Sequence, residues 1–136
     1  MNRIRYKAGY KYQLTENYRI GTAIRSPNTI ETDHISIWAD GTLSIKQGYA
    51  WDGPSGPTWD TSCFMRGSLV HDALYQLIRQ DHLHESWRQY ADKLLRTTCR
   101  EDGMSAIRAW WVYRAVRMFG ASAANPKNER KILTAP

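Results

Sequence analysis

Apolar and polar residues alternate with a period of two through most of residues 1–50. This period is typical of strands that bury one face. The clearest case is "HISIWADGTLSIK" at 34–46, where two alternating runs flank Asp40 and Gly41. An Asp-Gly pair suits a tight hairpin turn because both positions tolerate a positive φ angle. The pattern therefore predicts a β-rich N-terminal half built from hairpins.

The next segment changes character at the loop 51–60, "WDGPSGPTWD", whose glycines and prolines exclude regular structure. A polar residue among positions 60–62, "DTS", is a suitable helix cap. Apolar residues then recur at helical spacing and predict a first helix. Its core-facing stripe is formed by Val70, Leu74, Leu77 and Ile78.

Two more helices follow in the C-terminal half. The second runs from about Glu85 to Arg100 and should end at Gly103; the third runs from about Ser105 to Ala121. Residues 122–136 have no period and predict a polar C-terminal arm. The predicted inward stripes are Trp87, Ala91, Leu94, Leu95 and Thr98 in the second helix, and Ile107, Trp111, Ala115, Met118 and Phe119 in the third.

These elements predict an α+β fold in one domain over residues 1–136, with the first two helices as an antiparallel pair. The formal net charge of +6 favours anionic partners such as lipid headgroups, nucleic acid or an acidic protein. No run approaches the roughly 18 apolar residues that span a bilayer, and the N-terminus lacks the apolar stretch of a signal peptide. Synthesis in the cytoplasm is therefore expected.

Candidate chemistry lies in the first helix. His71 and Tyr75 share a helical face, and Asp72 is rotated by about 100° towards a neighbouring surface. Asp92 lies on the second helix, which a short connection places beside the first. An aspartate at the far ring nitrogen of His71 would fix its tautomer and stabilise the imidazolium formed by proton transfer from water.

The loop ahead of this helix is a candidate cation site. Residues 51–57 contain two glycines and two prolines, so their carbonyl groups are not all used in a strand ladder. Free carbonyls together with one carboxylate are ligands that calcium accepts. A cation there would polarise a substrate carbonyl beside the general base.

Three motifs in this order, "DGPSG", "HDALY" and a later "AD", resemble the active-site pattern of the phospholipase A2 superfamily, especially its disulfide-free viral type. They are also similar to an uncharacterised family of small phage and prophage proteins marked by DGxS and HDxLY. The second resemblance covers more of the chain, roughly from the 30s to the 90s. It implies a phage or prophage protein that is made in the host cytoplasm and can become part of the virion.

The phospholipase A2 resemblance implies a role for each matching position. His71 would be the general base, Asp92 would orient it, and Tyr75 would hydrogen-bond that aspartate. Calcium would be bound by the Asp72 carboxylate and by the carbonyl groups of Trp51, Gly53 and Ser55.

This chain departs from the phospholipase A2 pattern at several positions. Ser68 and Leu74 stand where the secreted enzymes have cysteines. Pro54 and Ser55 replace glycines of the usual loop. The N-terminal helix of those enzymes is replaced by about fifty β-rich residues.

Each of these features also has a purely structural interpretation. A His-Asp-Tyr group can be a satisfied polar cluster at the edge of a core. The glycine- and proline-rich loop can be a stiff connector between a strand and a helix.

Two basic surfaces are candidates for binding lipid or a partner protein. The third helix combines Trp110 and Trp111 with Arg108, Arg114 and Arg117. Such a surface fits a lipid interface, stacked bases, or a core edge with solvated arginines. No nucleic-acid motif supports the second of these, so nucleic acid is an unlikely partner. The other surface is the strand at 3–8, where Arg3, Arg5 and Lys7 alternate with apolar residues.

Two functions of different class follow. One is a calcium-dependent, phospholipase A2-like ester hydrolase that acts on host membrane lipid. The other is a non-enzymatic virion or assembly protein that docks onto phage subunits through its basic strand face and C-terminal arm.

Overall fold

The computed structural model describes residues 3–7, 12–53 and 62–125. Its N-terminal half contains short strands and its C-terminal half contains helices, so the α+β prediction is confirmed. The strands are β1 (Tyr6–Lys7), β2 (Tyr12–Leu14), β3 (Tyr18–Gly21), β4 (Ile30–Glu31), β5 (Ile35–Ile37), β6 (Thr42–Ile45) and β7 (Ala50–Trp51). The helices are α1 (Ser62–Arg79), α2 (Arg88–Glu101), α3 (Ala106–Phe119) and α4 (Ala121–Ala124), with a 3-10 turn at Glu85–Trp87.

A four-stranded antiparallel sheet, ordered β3-β6-β5-β4, forms one side of the core. The predicted hairpin is confirmed: β5 pairs with β6 across a turn in which Gly41 has φ +93°. The positive φ angle explains the glycine. Ile35 and Ile37 are fully buried, as are Leu43 and Ile45 across the hairpin.

A three-stranded sheet, ordered β1-β2-β7, connects the N-terminus to the helical half. Tyr12 of β2 pairs with Trp51 of β7, and their rings lie 5.8 Å apart. The buried indole of Trp51 donates a hydrogen bond to Ser68 Oγ of α1 at 3.0 Å. This sheet therefore positions the chain that leaves β7 against the middle of α1.

Helices α1 and α2 pack closely, as the sequence predicts for the first two helices. A Cβ atom at Gly67 of α1 would lie only 2.8 Å from Cys99 Sγ and 3.0 Å from Leu95. A glycine at this position lets the two helices approach. Beyond it, the fully buried stripe of α1 includes Val70, Leu74, Leu77 and Ile78, as predicted.

A buried arginine joins α1 to the end of α2. Arg66, only 3% exposed, pairs with Asp102 at 3.0 Å and with Glu101 at 2.9 Å. Its guanidinium also donates to the Tyr18 hydroxyl at 3.0 Å. Paired in this way, the buried charge is compensated.

The prediction of which face of α3 is buried is wrong. Its inner side consists of Ala109, which is fully buried, and the half-buried Val112 and Val116, packed beside Leu95 and Cys99. Small residues on this side allow α3 to lie close to α2, and the larger apolar residues face outwards. Ile107, Trp111, Met118 and Phe119 of the predicted core stripe are exposed, as is Ala115.

The predicted polar C-terminal arm, residues 122–136, begins with a helix that the sequence did not indicate. Residues 121–124 form the short helix α4, and Ala124 is buried against the main core. The remaining positions of the arm, 126–136, lie outside the described residues, as do 54–60 of the loop and the cap positions 60 and 61. Among the helices that are described, none is long and apolar enough to cross a membrane.

Candidate functional site

His71 and Asp92 form a buried pair between α1 and α2. The Nε2 atom of His71 lies 2.7 Å from Oδ1 of Asp92. Asp92 is fully buried and His71 is only 7% exposed. Because an ionised carboxylate can only accept, Nε2 carries the proton and donates it. In the neutral ring the free lone pair is therefore on Nδ1.

Two further donors complete the shell of Asp92. The Tyr75 hydroxyl donates to Oδ1 at 2.6 Å, and Arg117 donates to Oδ2 at 2.8 Å. The Tyr75 ring also packs on the His71 ring, with centroids 4.1 Å apart. Both carboxylate oxygens are thus held, and the carboxylate in turn holds the imidazole.

Arg88 and Gly120 support this arrangement from behind. Arg88 Nε donates to the Tyr75 hydroxyl at 3.1 Å, and its Nη2 donates to the backbone carbonyls of Val116 and Arg117 at 3.0 and 2.9 Å. A Cβ atom at Gly120 would approach the Tyr75 hydroxyl to 2.6 Å. The end of α3 is therefore fastened to Tyr75.

The two members of the pair shift each other's titration in opposite directions. Burial of His71 opposes its charged form, but the hydrogen bond to Asp92 and the negative charges of Asp72 and Asp92 outweigh that effect and raise the pKa of His71 above its usual value. Burial would raise the pKa of Asp92, but hydrogen bonds from His71, Tyr75 and Arg117 lower it. Asp92 is therefore ionised wherever His71 titrates.

Asp72 lies on the other side of the imidazole. Its Oδ1 is 3.9 Å from Nδ1 of His71, which is an ion-pair distance too long for a direct hydrogen bond. About a third of its side chain, 35%, is exposed. The pKa of Asp72 is raised, mainly because burial in the cleft removes water from its carboxylate, and also because of the nearby negative charge of Asp52.

His71 and Asp72 both line a cleft of about 720 Å³. Residues of the β7 end, including Trp51 and Gly53, form one wall, and residues of α1 form the floor. The opposite wall comes from α3, where Val116 and Phe119 line the cleft. This volume is within the range of small-molecule sites.

The structure brings Trp51, Gly53 and Asp72 of the predicted calcium site to this same cleft, and Ser55 lies outside the described residues. Gly53 has φ +79°, and the Tyr12 ring occupies the space of a Cβ atom there, so only glycine fits. Asp52, which the sequence did not single out, adds a second carboxylate. Within the described ranges no group of three or more His, Cys, Asp or Glu side chains is gathered for a metal.

The predicted surface on α3 divides into two parts. Trp110, Trp111 and Arg114 are exposed, and for Trp111 this contradicts its predicted place in the core stripe. Arg117 was predicted to lie on this surface, and that prediction is wrong because its guanidinium turns inward to Asp92. Arg108 is also only half exposed and lies 4.0 Å from Cys63 Sγ.

The predicted basic strand face is only partly described. Arg3 and Arg5 are exposed, and Arg5 lies 3.7 Å from Glu16. Lys7 belongs to β1, and its side chain is outside what the structure describes.

Sequence reasoning placed Arg117 on the outer surface instead of at Asp92, and it did not name Arg88 or Asp52 at all. The roles of Arg117 and Arg88 arise from tertiary contacts of α3, which no local pattern indicates. Asp52 could have been found, since it stands in the same "DGPSG" motif as Gly53.

Comparison with known proteins adds one similarity. A search among curated proteins and a search among solved structures each gave no significant match. A family model matches residues 29–116, from the edge of the four-stranded sheet through α1 and α2 to most of α3. The match spans well over half of the chain and includes His71, Asp72, Tyr75 and Asp92. The chain therefore belongs to the family described as "Protein of unknown function (DUF1353)".

Proposed function

We propose that this protein is a phospholipase A2-like ester hydrolase of phage or prophage origin, acting on host membrane lipid with His71 as general base. One observation carries the proposal: His71, a residue that lines the cleft, has its Nε2 atom 2.7 Å from buried Asp92, so its Nδ1 atom is the nitrogen left to act as a base. An oriented imidazole backed by a carboxylate is the usual arrangement of a general base.

The reaction follows from this arrangement. Nδ1 of His71 takes a proton from a water molecule while the water oxygen bonds to the ester carbonyl carbon. The tetrahedral intermediate then breaks its bond to the alkoxide oxygen, which receives the proton held on Nδ1. The products are a carboxylic acid and an alcohol, and the imidazole is again neutral. Asp92 keeps its negative charge and stabilises the imidazolium in between.

Calcium would be held at the cleft by the carboxylate of Asp72, together with the backbone carbonyl groups of Trp51 and Gly53. The residues present fit a hard cation, because Asp52 and Asp72 both line the cleft and carboxylate oxygens are the ligands that such a cation prefers. Bound there, the cation would supply Lewis-acid polarisation of the ester carbonyl.

The test is release of fatty acid from phospholipid in mixed micelles by the full chain, with calcium present. His71→Gln should reduce the rate by at least about a hundredfold, since general acid-base catalysis contributes about 10²–10⁴. Asp72→Asn should abolish the calcium-dependent rate because it removes the carboxylate that would hold the cation. His82→Gln, at an exposed position between α1 and α2, is the matched control and should keep full activity. Circular dichroism checks that each variant is folded.

Two results would decide against parts of the proposal. Full activity in excess EGTA would remove calcium from the mechanism. A wild-type rate no higher than that of His71→Gln would refute the hydrolase hypothesis. A non-enzymatic virion protein that docks onto other subunits would then be the better hypothesis.

A further inference from the structure

The outer face of α3 carries a continuous row of exposed apolar side chains. On a helix of 100° per residue, Ile107, Trp111 and Met118 lie within about 40° of one another; Trp110 lies about 60° to one side of Ile107, and Phe119, at the end of the helix, about 120° to the other side, towards the cleft. From Ile107 to Phe119 the row is about 18 Å long. The exposed fractions are 74% for Ile107, 42% for Trp110, 63% for Trp111, 63% for Met118 and 74% for Phe119. These five residues are called the α3 row below.

The charge around the α3 row has one sign. Of the three arginines of α3, Arg117 turns inward to Asp92 and Arg108 is half exposed, so Arg114 is the exposed one. The helix has no acidic residue, and no Asp or Glu occurs in the sequence between Asp102 and Glu129. Arg114 lies within the row itself, with its guanidinium 5.9 Å from the Trp110 ring. Arg96 of α2 reaches over the Tyr113 ring at the flank of α3 at a similar distance, 5.9 Å. A partner of this face must therefore present both an apolar surface and negative charge.

The α3 row also reaches the edge of the cleft. Phe119 belongs to the row and lines the cleft, as does Ala115 one turn before it. Val116, on the next side of the helix, lines the cleft wall and touches the buried cluster beside α2. A body that rests on the α3 row would thus lie directly beside the opening that leads to His71.

We propose that the α3 row is the surface by which the protein docks on an anionic lipid membrane. The inference rests on the proposed function, because a lipid surface brings ester substrate to the cleft. Tryptophan, phenylalanine and methionine insert their apolar parts at the headgroup boundary, and arginine among them pairs with lipid phosphate. Only a partner with both properties complements this face.

A second copy of the chain fits the α3 row less well. In a two-fold pairing each patch meets itself, so two Arg114 guanidinium groups would be brought together. No acidic residue of α3 is present to compensate them. An acidic lipid bilayer supplies that compensation over the whole length of the row.

The experiment is sedimentation of the full chain with vesicles of phosphatidylcholine containing phosphatidylglycerol, in EGTA so that no hydrolysis is required. Trp111→Ser combined with Phe119→Ser should weaken binding at least tenfold, because two large exposed side chains no longer leave water. Arg114→Gln should weaken binding to these vesicles and leave binding to pure phosphatidylcholine unchanged.

The matched controls stand on the sheet instead of α3. Trp38 is another exposed tryptophan, 36% exposed, with Arg19 4.7 Å above its ring. Trp38→Ser and Arg19→Gln should bind vesicles like the wild type. Raising the salt concentration to about 1 M should release the protein from the anionic vesicles, because screening weakens the attraction.

Three outcomes would overturn the proposal. They are absence of wild-type binding to anionic vesicles, binding that the double substitution leaves unchanged, and a wild-type dimer that the double substitution dissociates. Capture by an acidic protein without vesicle binding would also count against it. Hydrolysis of a monomeric short-chain ester without vesicle binding would refute only the docking surface, and vesicle binding without any hydrolysis would refute only the enzyme.

Discussion

Asp92→Asn is the substitution that most directly tests the buried site. Asp92 is fully buried and accepts hydrogen bonds from His71, Tyr75 and Arg117. Removing one partner of a buried ion pair costs about 3–5 kcal/mol of stability. The Arg117 side chain is 27% exposed and can be partly hydrated when it is left alone, so the lower end applies. We expect a loss of about 3 kcal/mol and a fall in Tm of about 10 °C.

The same substitution should move the pKa of His71. In this variant Asp92 no longer raises the pKa of His71, so burial lowers it and only the charge of Asp72 still raises it. The positive charge of Arg117, no longer compensated, lowers it further. We therefore expect the pKa of His71 in this variant to lie below its wild-type value. NMR titration of the imidazole resonances measures it, and His71→Gln identifies the resonance among the four histidines of the chain.

Asp102→Asn is the matched control, since Asp102 also pairs with a buried arginine, Arg66, at 3.0 Å. It should lower the Tm without changing the pKa of His71. An Asp92→Asn variant whose His71 titrates as in the wild type would refute the reasoning, because the carboxylate would then not govern the imidazole.

Three other outcomes follow from the same contacts. The folded pKa of His71 is raised, so its protonation stabilises the fold fully below about pH 6.5 and ceases to do so as the pH rises through the folded value. In urea unfolding, His71→Gln should therefore lose more stability at about pH 6 than at about pH 9. Gly120→Ala places a methyl group 2.6 Å from the Tyr75 hydroxyl and should cost about 1–3 kcal/mol, whereas Gly21→Ala, with open space around it, should be nearly neutral. Arg117→Gln should raise the pKa of Asp92, measured by carboxyl NMR, and Arg117→Lys should restore part of the difference.

The contact between His71 and Asp92 could be predicted from sequence because it depends only on local features of the chain. A helical spacing places His71 and Tyr75 on one face, and a short connection places α2 beside α1. The hairpin at Asp40 and Gly41 was predictable for the same reason. Each of these predictions needs only a few residues of chain.

The orientation of α3 could not be predicted because α3 has apolar residues on both of its sides. Periodicity selected the side with the larger residues, which include Trp111 and Met118. Close packing against α2 instead selects the side with Ala109 and Val112, since small residues allow the shorter distance between helices. Once α3 is placed in this way, Arg117 points towards Asp92, a contact that spans 25 residues.

The packing of α3 couples its two sides. On the inner side Arg117 binds Oδ2 of Asp92, so Oδ1 is left to His71 and Tyr75. With both oxygens occupied the carboxylate cannot rotate without losing a hydrogen bond, and Nδ1 of His71 stays the nitrogen left to act as a base. On the outer side the same helix exposes the α3 row, whose last member, Phe119, is two residues after Arg117. The end of α3 and the imidazole are therefore joined through one carboxylate, that of Asp92. If the α3 row binds lipid, then a single helix both docks the protein on the membrane and, through Arg117 and Asp92, orients the general base His71.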